Sequence, residues 1–132
     1  MIISITSKTT VGDLQRKLSV AFPFLKVEFF RKAHGEVPGK HKWYDRDDRL
    51  FDILKYARQG RVIIQSWRKC GYVKEIFEKR FGLHPQFFRR KNDEWIEIAG
   101  TQDFTIEEQN EIGRKSVEKK QRTSWREREF LL

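Results

Sequence analysis

Residues 2–32 and 61–91 read as two copies of one unit, and this duplication limits the folds open to the chain more than any other feature. At an offset of 59, Ile3 matches Val62, Ile5 matches Ile64, Gly12 matches Gly71, Leu14 matches Val73, Leu18 matches Phe77 and Phe22 matches Phe81. One residue is lost between Phe22 and Leu25. At an offset of 58, Leu25 then matches Leu83, Phe29 matches Phe87, Phe30 matches Phe88 and Arg31 matches Arg89. Each copy runs in the same order: a β-branched strand, an amphipathic helix, a short turn with Pro or Gly, and a Phe-Phe strand ending in basic residues.

The local signals are physical. Thr10 with Asp13 three residues later forms a capping-box start. Val11, Leu14, Leu18, Ala21 and Phe22 then fall on one helical face, and Pro23 ends the run. In the second copy Val73, Ile76, Phe77 and Phe81 share a face, and Gly82 stands where a left-handed cap needs it. Two strand–helix–strand units give the order β-α-β-β-α-β, which predicts an α+β fold of the ferredoxin-like plait type. Three additions decorate it. Residues 49–58 predict an inserted helix, with Leu50, Ile53, Leu54 and Ala57 on one face and Asp48 as N-cap. Lys91-Asn92-Asp93-Glu94 predicts a hairpin turn into a fifth edge strand, Trp95-Ile96-Glu97-Ile98. Thr105 with Glu108 starts a C-terminal helix. The expected division is an α+β domain over 1–100 and a C-terminal helix and arm over 101–132. Ile106, Ile112, Val117, Trp125, Phe130, Leu131 and Leu132 are spaced too loosely for a full amphipathic helix, so a partly ordered arm is expected.

Charge narrows the partners. The chain holds 28 Lys and Arg against 19 Asp and Glu, a formal +9. Residues 1–98 carry all of that excess. The tail nets zero, because 99–113 hold four acids and no base while 114–132 hold seven bases and three acids. Such a surface attracts anionic partners, but the tail's acids can also satisfy basic groups within the molecule or on a neighbouring copy. A single Cys excludes an intrachain disulfide and a Cys-rich metal site. No apolar run reaches the length of a membrane span, and the first residues lack the form of a signal peptide. A cytoplasmic protein with no membrane partner is the expectation.

Catalytic motifs find little support. Gly35 to His41 superficially looks like a phosphate-binding loop, but its spacing is one residue short and no Ser or Thr follows Lys40. Pro38 also removes one cradling amide. His41, Asp45, Asp47 and Asp48 offer metal donors, yet Arg46 and Arg49 interleave with them, and capping or solvated loop charge explains them more simply. Cys70 sits beside Lys69 at a helix start, which would lower a thiol pKa. It also matches apolar Val11 in the first copy, so a buried structural thiol is the better reading. No enzymatic activity, cofactor or metal is expected.

The sheet face turned away from the helices is the informative surface. Alternation puts Val27, Phe29, Phe87, Arg89, Ile96 and Ile98 on one side. Phe30, Lys32, Phe88, Arg90 and Trp95 then fall on the other, with Glu28, Gln86 and Glu97. Rings among basic side chains can stack bases and hold phosphates, although the RNP1 signature is absent. The same rings can be covered by protein instead: the chain's own arm, a second copy or a partner. The expected function is a non-enzymatic basic binding module. It would self-associate or dock protein through Phe30, Lys32, Phe88, Arg90 and Trp95, with Trp125 and Phe130 in the arm. Single-stranded nucleic-acid binding by the same face is the alternative.

Phe81-Gly82-Leu83, Phe88-Arg89-Arg90-Lys91, Trp95-Ile96-Glu97 and the run from Thr101 through Glu107-Glu108-Gln109-Asn110 carry one further observation. Across Val73 to Arg114, about a third of the chain, they resemble a group of small uncharacterised bacterial proteins. The group has no assigned activity, so the resemblance implies no function and no site residues.

Overall fold

The computed structural model describes residues 1–31, 43–54, 59–98 and 103–130, with side chains described as far as Lys119. Among these residues nine elements follow in order: β1 (Ile2–Ile5), α1 (Val11–Ala21), β2 (Leu25–Phe30), α2 (Leu50–Ile53), β3 (Gly60–Ile63), α3 (Cys70–Phe81), β4 (His84–Lys91), β5 (Glu94–Glu97) and α4 (Ile106–Phe130). The fold is α+β, with an antiparallel pair β1-β3 and an antiparallel sheet β2-β4-β5.

The pairings reveal how the two copies meet. Ile3 lies opposite Val62 in the β1-β3 ladder, and Glu28 lies opposite Gln86 in the β2-β4 ladder. Each is a pair of equivalent positions, at the offsets of 59 and 58 that define the repeat. Equivalent strands therefore pair with each other, as a near-twofold relation between the copies requires. A ferredoxin-like plait would place all four repeat strands in one sheet, with β3 also beside β2. The described ladders form two sheets, so they establish the α+β class and not that plait.

The near-symmetry also takes in a third element. Val11 N–H donates to Asp48 O at 2.9 Å, and Leu50 N–H donates to Thr9 O at 2.9 Å. In the second copy Cys70 N–H donates to Phe104 O and Ile106 N–H to Arg68 O, both at 3.0 Å. Isolated bridges Thr10–Arg49 and Lys69–Thr105 sit between them. Segments 48–50 and 104–106 thus clip the N-termini of α1 and α3 in the same way. Leu50 and Ile106 are both fully buried, each worth about 1.5–3 kcal/mol of apolar transfer. The inserted helix and the C-terminal helix begin as equivalent parts of the repeat.

The helix ends differ between the copies. In α1 the capping box is complete: Thr10 N–H donates to Asp13 Oδ2 at 2.9 Å and Asp13 N–H to Thr10 Oγ1 at 3.2 Å. α3 has Lys69 as N-cap and no side-chain cap. It ends on Gly82 at φ 67°, a left-handed conformation that glycine adopts without a Cβ penalty. Helix α2 is a single turn capped by Arg49 without a side-chain bond. Asp48 is not its N-cap as expected; its carboxylate instead accepts from Asp45 N–H at 2.9 Å and closes the preceding turn. Residues 55–58 of the expected helix lie outside the described residues. The expected loose arm is corrected by α4, which is a continuous helix of 25 residues. Its first part is anchored by Gln109, which is fully buried, by Asn110 Oδ1 accepting from Phe24 N–H at 2.9 Å, and by Ser116, whose hydroxyl donates to Arg90 O at 3.3 Å.

One core joins these parts. Ile3, Ile5, Leu14, Leu18, Val62, Ile64, Val73 and Phe77 pack with Leu25, Val27, Phe29, Leu83, Phe87 and Ile98. Phe77 meets Phe29 edge-on, with centroids 5.7 Å apart. This packing buries one side of the β2-β4-β5 sheet and defines its other side.

Candidate docking surface on the sheet

Along β2 burial alternates strictly, with Leu25, Val27 and Phe29 inward and Lys26, Glu28 and Phe30 half-buried on the far side. Register carries the far side across the sheet. Lys26 lies opposite Phe88, and Phe30 opposite His84. Phe88 lies opposite Glu97, and Arg90 opposite Trp95. Phe30, Phe88, Arg90 and Trp95 therefore share one face. Lys32 lies outside the described residues. Trp125 and Phe130 lie on the α4 backbone, and their side chains are outside the described set.

Cations and rings interlock on this face. Lys26 Nζ stands 4.9 Å from the Phe88 centroid and 5.5 Å from that of Trp95. The Arg90 guanidinium carbon is 4.3 Å from the Trp95 centroid, and one Arg90 Nη1 donates to Asp93 O at 2.9 Å. Trp43 completes the cluster. It bridges to Phe30 through the backbone, stacks on the Phe30 ring at 4.2 Å and meets Phe88 edge-on at 5.9 Å. Tyr44 N–H donates to Phe29 O at 2.9 Å, which occupies part of the outer edge of β2. Each such contact contributes about 0.5–1.5 kcal/mol beyond area burial.

Sequence reasoning missed Trp43 and Lys26. Lys26 is in phase with Glu28 and Phe30, so period-two alternation could have found it. Trp43 lies at the end of a non-periodic linker, where no spacing signals a partner.

The remaining chemistry-bearing residues are otherwise engaged. The Arg31 guanidinium approaches the carboxylates of Asp45 at 3.9 Å and Asp48 at 3.6 Å and stacks on Tyr44 at 4.8 Å. These acids serve an arginine, and among the described residues no group of three metal-ligating side chains converges. His41 and the loop from Gly35 lie outside the described residues. Cys70 is buried, and desolvation pushes its thiol up to about 12, opposite to the lowering its place at a helix start suggested. His84 Nδ1 faces Glu78 Oε1 at 3.8 Å. A groove of about 390 Å3 between β1 and α1 is lined by Ile3, Ser4, Thr9, Asp13, Arg16, Lys17 and Val20, without convergent nucleophile and base. Among the described residues no helix is long and apolar enough to cross a membrane. No family model matches the chain, and the searches of curated proteins and of solved structures returned no match.

Proposed function

We propose that this chain is a non-enzymatic docking module of the cytoplasm, binding protein through the far face of β2-β4-β5 together with the C-terminal helix. The observation that carries the reading is the ring-and-cation cluster of Trp43, Phe30, Phe88, Lys26, Trp95 and Arg90, half-buried on a sheet face outside the core. Aromatic and arginine side chains of this kind are the residues that anchor protein interfaces. Glu28 and Glu97 stand on the same face, a mixture of charge that suits a protein more than a polyanion.

Single-stranded nucleic acid is the second reading, supported by Lys26 and Arg90 standing over Phe88 and Trp95. Against it, Trp43 already stacks on Phe30, and cations already occupy ring faces that bases would need.

The test measures mass by light scattering for the full chain, for a chain ending at Lys119, and for Phe88→Ser and Trp95→Ser. It is paired with anisotropy of labelled single-stranded RNA and DNA at two salt concentrations. A mass above the 16.0 kDa protomer that falls in the face variants supports docking to a second copy. Oligonucleotide binding that weakens with salt and is lost in the same variants transfers the assignment to nucleic acid. Face variants that behave as wild type in both assays remove the face from the function.

A further inference from the structure

The near-twofold relation between the copies supplies an internal control for every exposed residue. Wherever the backbones match, a side chain required by the fold should recur in kind. At four matched positions the second copy is apolar and exposed where the first is polar. Ile63 stands for Ser4, Trp67 for Lys8, Tyr72 for Asp13 and Phe104 for Asp48. Trp67 is 58% exposed, Tyr72 42% and Phe104 40%. The backbone does not demand these rings, since the first copy folds the same turn without them. Tyr72 also displaces the acid that completes the α1 capping box, and α3 has no side-chain cap in its place. Exchanges in the other direction occur at Ile2 and Val20, against Arg61 and Lys79, and involve no aromatic residue.

The rings are organised. The Arg68 guanidinium is sandwiched between Trp67 at 4.2 Å and Tyr72 at 4.4 Å, and its Nε donates to Gln65 Oε1 at 3.0 Å. Trp67, Arg68 and Tyr72 are thus held in place before any partner arrives, which lowers the entropy cost of binding. Phe104 adjoins the same turn through its backbone bond to Cys70. Two facing segments supply the charge. Residues 67–74 carry Arg68, Lys69 and Lys74, while 103–108 carry Asp103, Glu107 and Glu108. The balance is three bases against three acids. That neutrality does not suit a polyanion, but a basic segment beside an acidic one is what a twofold contact can match, base to acid in both directions.

We propose that Trp67, Arg68, Tyr72 and Phe104 form the contact between two copies of this chain, with the acidic segment 103–108 of each set against the basic segment 67–74 of the other. This surface is separate from the sheet face, and the inference does not rest on the docking role proposed for that face.

The test is a charge exchange on the full chain, read by sedimentation and light scattering over a concentration series. One variant carries Asp103→Lys with Glu107→Lys; the other carries Lys69→Glu with Lys74→Glu. Each alone is expected to weaken self-association about tenfold or more. Mixing the two restores a dimer containing one chain of each, which also demonstrates that both variants are folded. Trp67→Ser is expected to weaken the dimer to a similar degree, while Phe88→Ser on the sheet face leaves the dimer intact and removes only assembly beyond two copies. A monomer at every concentration overturns the proposal, as does a dimer lost with Phe88→Ser and kept with Trp67→Ser; the latter result would assign self-association to the sheet face. Oligonucleotide binding abolished by Trp67→Ser with no change in mass overturns it in favour of nucleic acid.

Discussion

Ile3 and Val62 face each other across the β1-β3 ladder, and they are the same position in the two copies. Both are buried, at 3% and 2% exposure, so the midpoint of the duplication lies in the core. Opposed side chains on one face of an antiparallel pair stand about 4.5–5.5 Å apart at Cβ and interact directly. The two positions should therefore not behave independently. Ile3→Ala is expected to cost about 2–4 kcal/mol and Val62→Ala somewhat less. The double variant should depart from additivity by at least about 0.5 kcal/mol. Urea unfolding of the two single variants and the double variant measures the coupling, and strict additivity would contradict direct packing at this pair.

The unequal caps of α1 and α3 give a second contrast. Thr10→Ala removes the acceptor for Asp13 N–H and should cost about 1 kcal/mol, whereas Lys69→Ala, which removes no cap, should change stability by less than about 0.5 kcal/mol. The hydrogen bond from Thr10 N–H, opposed by partial desolvation and aided by the Thr10 hydroxyl and Arg16, holds the Asp13 carboxyl below its usual value. A carboxyl lowered in the folded state contributes stability that is present above its unfolded pKa. That contribution is lost as pH falls through the folded value. Asp13→Asn should flatten the fall in stability below about pH 4, and an unchanged acid limb would contradict this role.

Much of this arrangement is legible in the sequence. Capping boxes at Thr10 and Thr105, the Gly82 cap and the alternation along β2, β4 and β5 are local, and local patterns are written in neighbouring residues. The strand partners are not. A repeat states that two strands are alike, not whether each pairs with its equivalent or with its neighbour. The kinship of segments 48–50 and 104–106 is carried by backbone hydrogen bonds, while the residues there, Asp48-Arg49-Leu50 and Phe104-Thr105-Ile106, share only an apolar final position. The length of α4 was hidden for a different reason. Its middle is supported by ion pairs of Arg114 with Glu111 and with Glu118, and charges at helical spacing leave no apolar stripe to read.

Cys70 offers a chemical check on the core. Burial keeps its thiol protonated far above neutrality, so the folded protein should react with a disulfide reagent at pH 8 orders of magnitude more slowly than the unfolded chain. The sign of the linkage follows from the raised value. The unfolded thiol ionises near pH 8.5 while the folded one does not, so stability should decline as pH rises above that point. Cys70→Ala should abolish this alkaline slope. Rapid labelling of the native protein would show that the thiol is accessible and the core open beside α3.

Gly113 marks where α4 meets the sheet. A Cβ built there would lie 2.9 Å from Phe24 Cβ and 3.2 Å from Phe24 O, whereas one at Gly60 meets nothing within 4 Å. Phe24 cannot yield easily, because its N–H is held by Asn110 and its carbonyl accepts from Arg90 N–H. Alanine normally gains about 1 kcal/mol over glycine inside a helix. At residue 113 that gain should be outweighed by an overpacking cost of about 1–3 kcal/mol. Gly113→Ala is therefore expected to lower the unfolding midpoint, while Gly60→Ala is neutral or raises stability by up to about 1 kcal/mol. Helical content by circular dichroism distinguishes the two ways Gly113→Ala could act: displacement of a formed α4 preserves the helix signal, and loss of that signal with the midpoint means that α4 depends on this contact to form. A variant as stable as the parent would mean that Gly113 does not pack against Phe24.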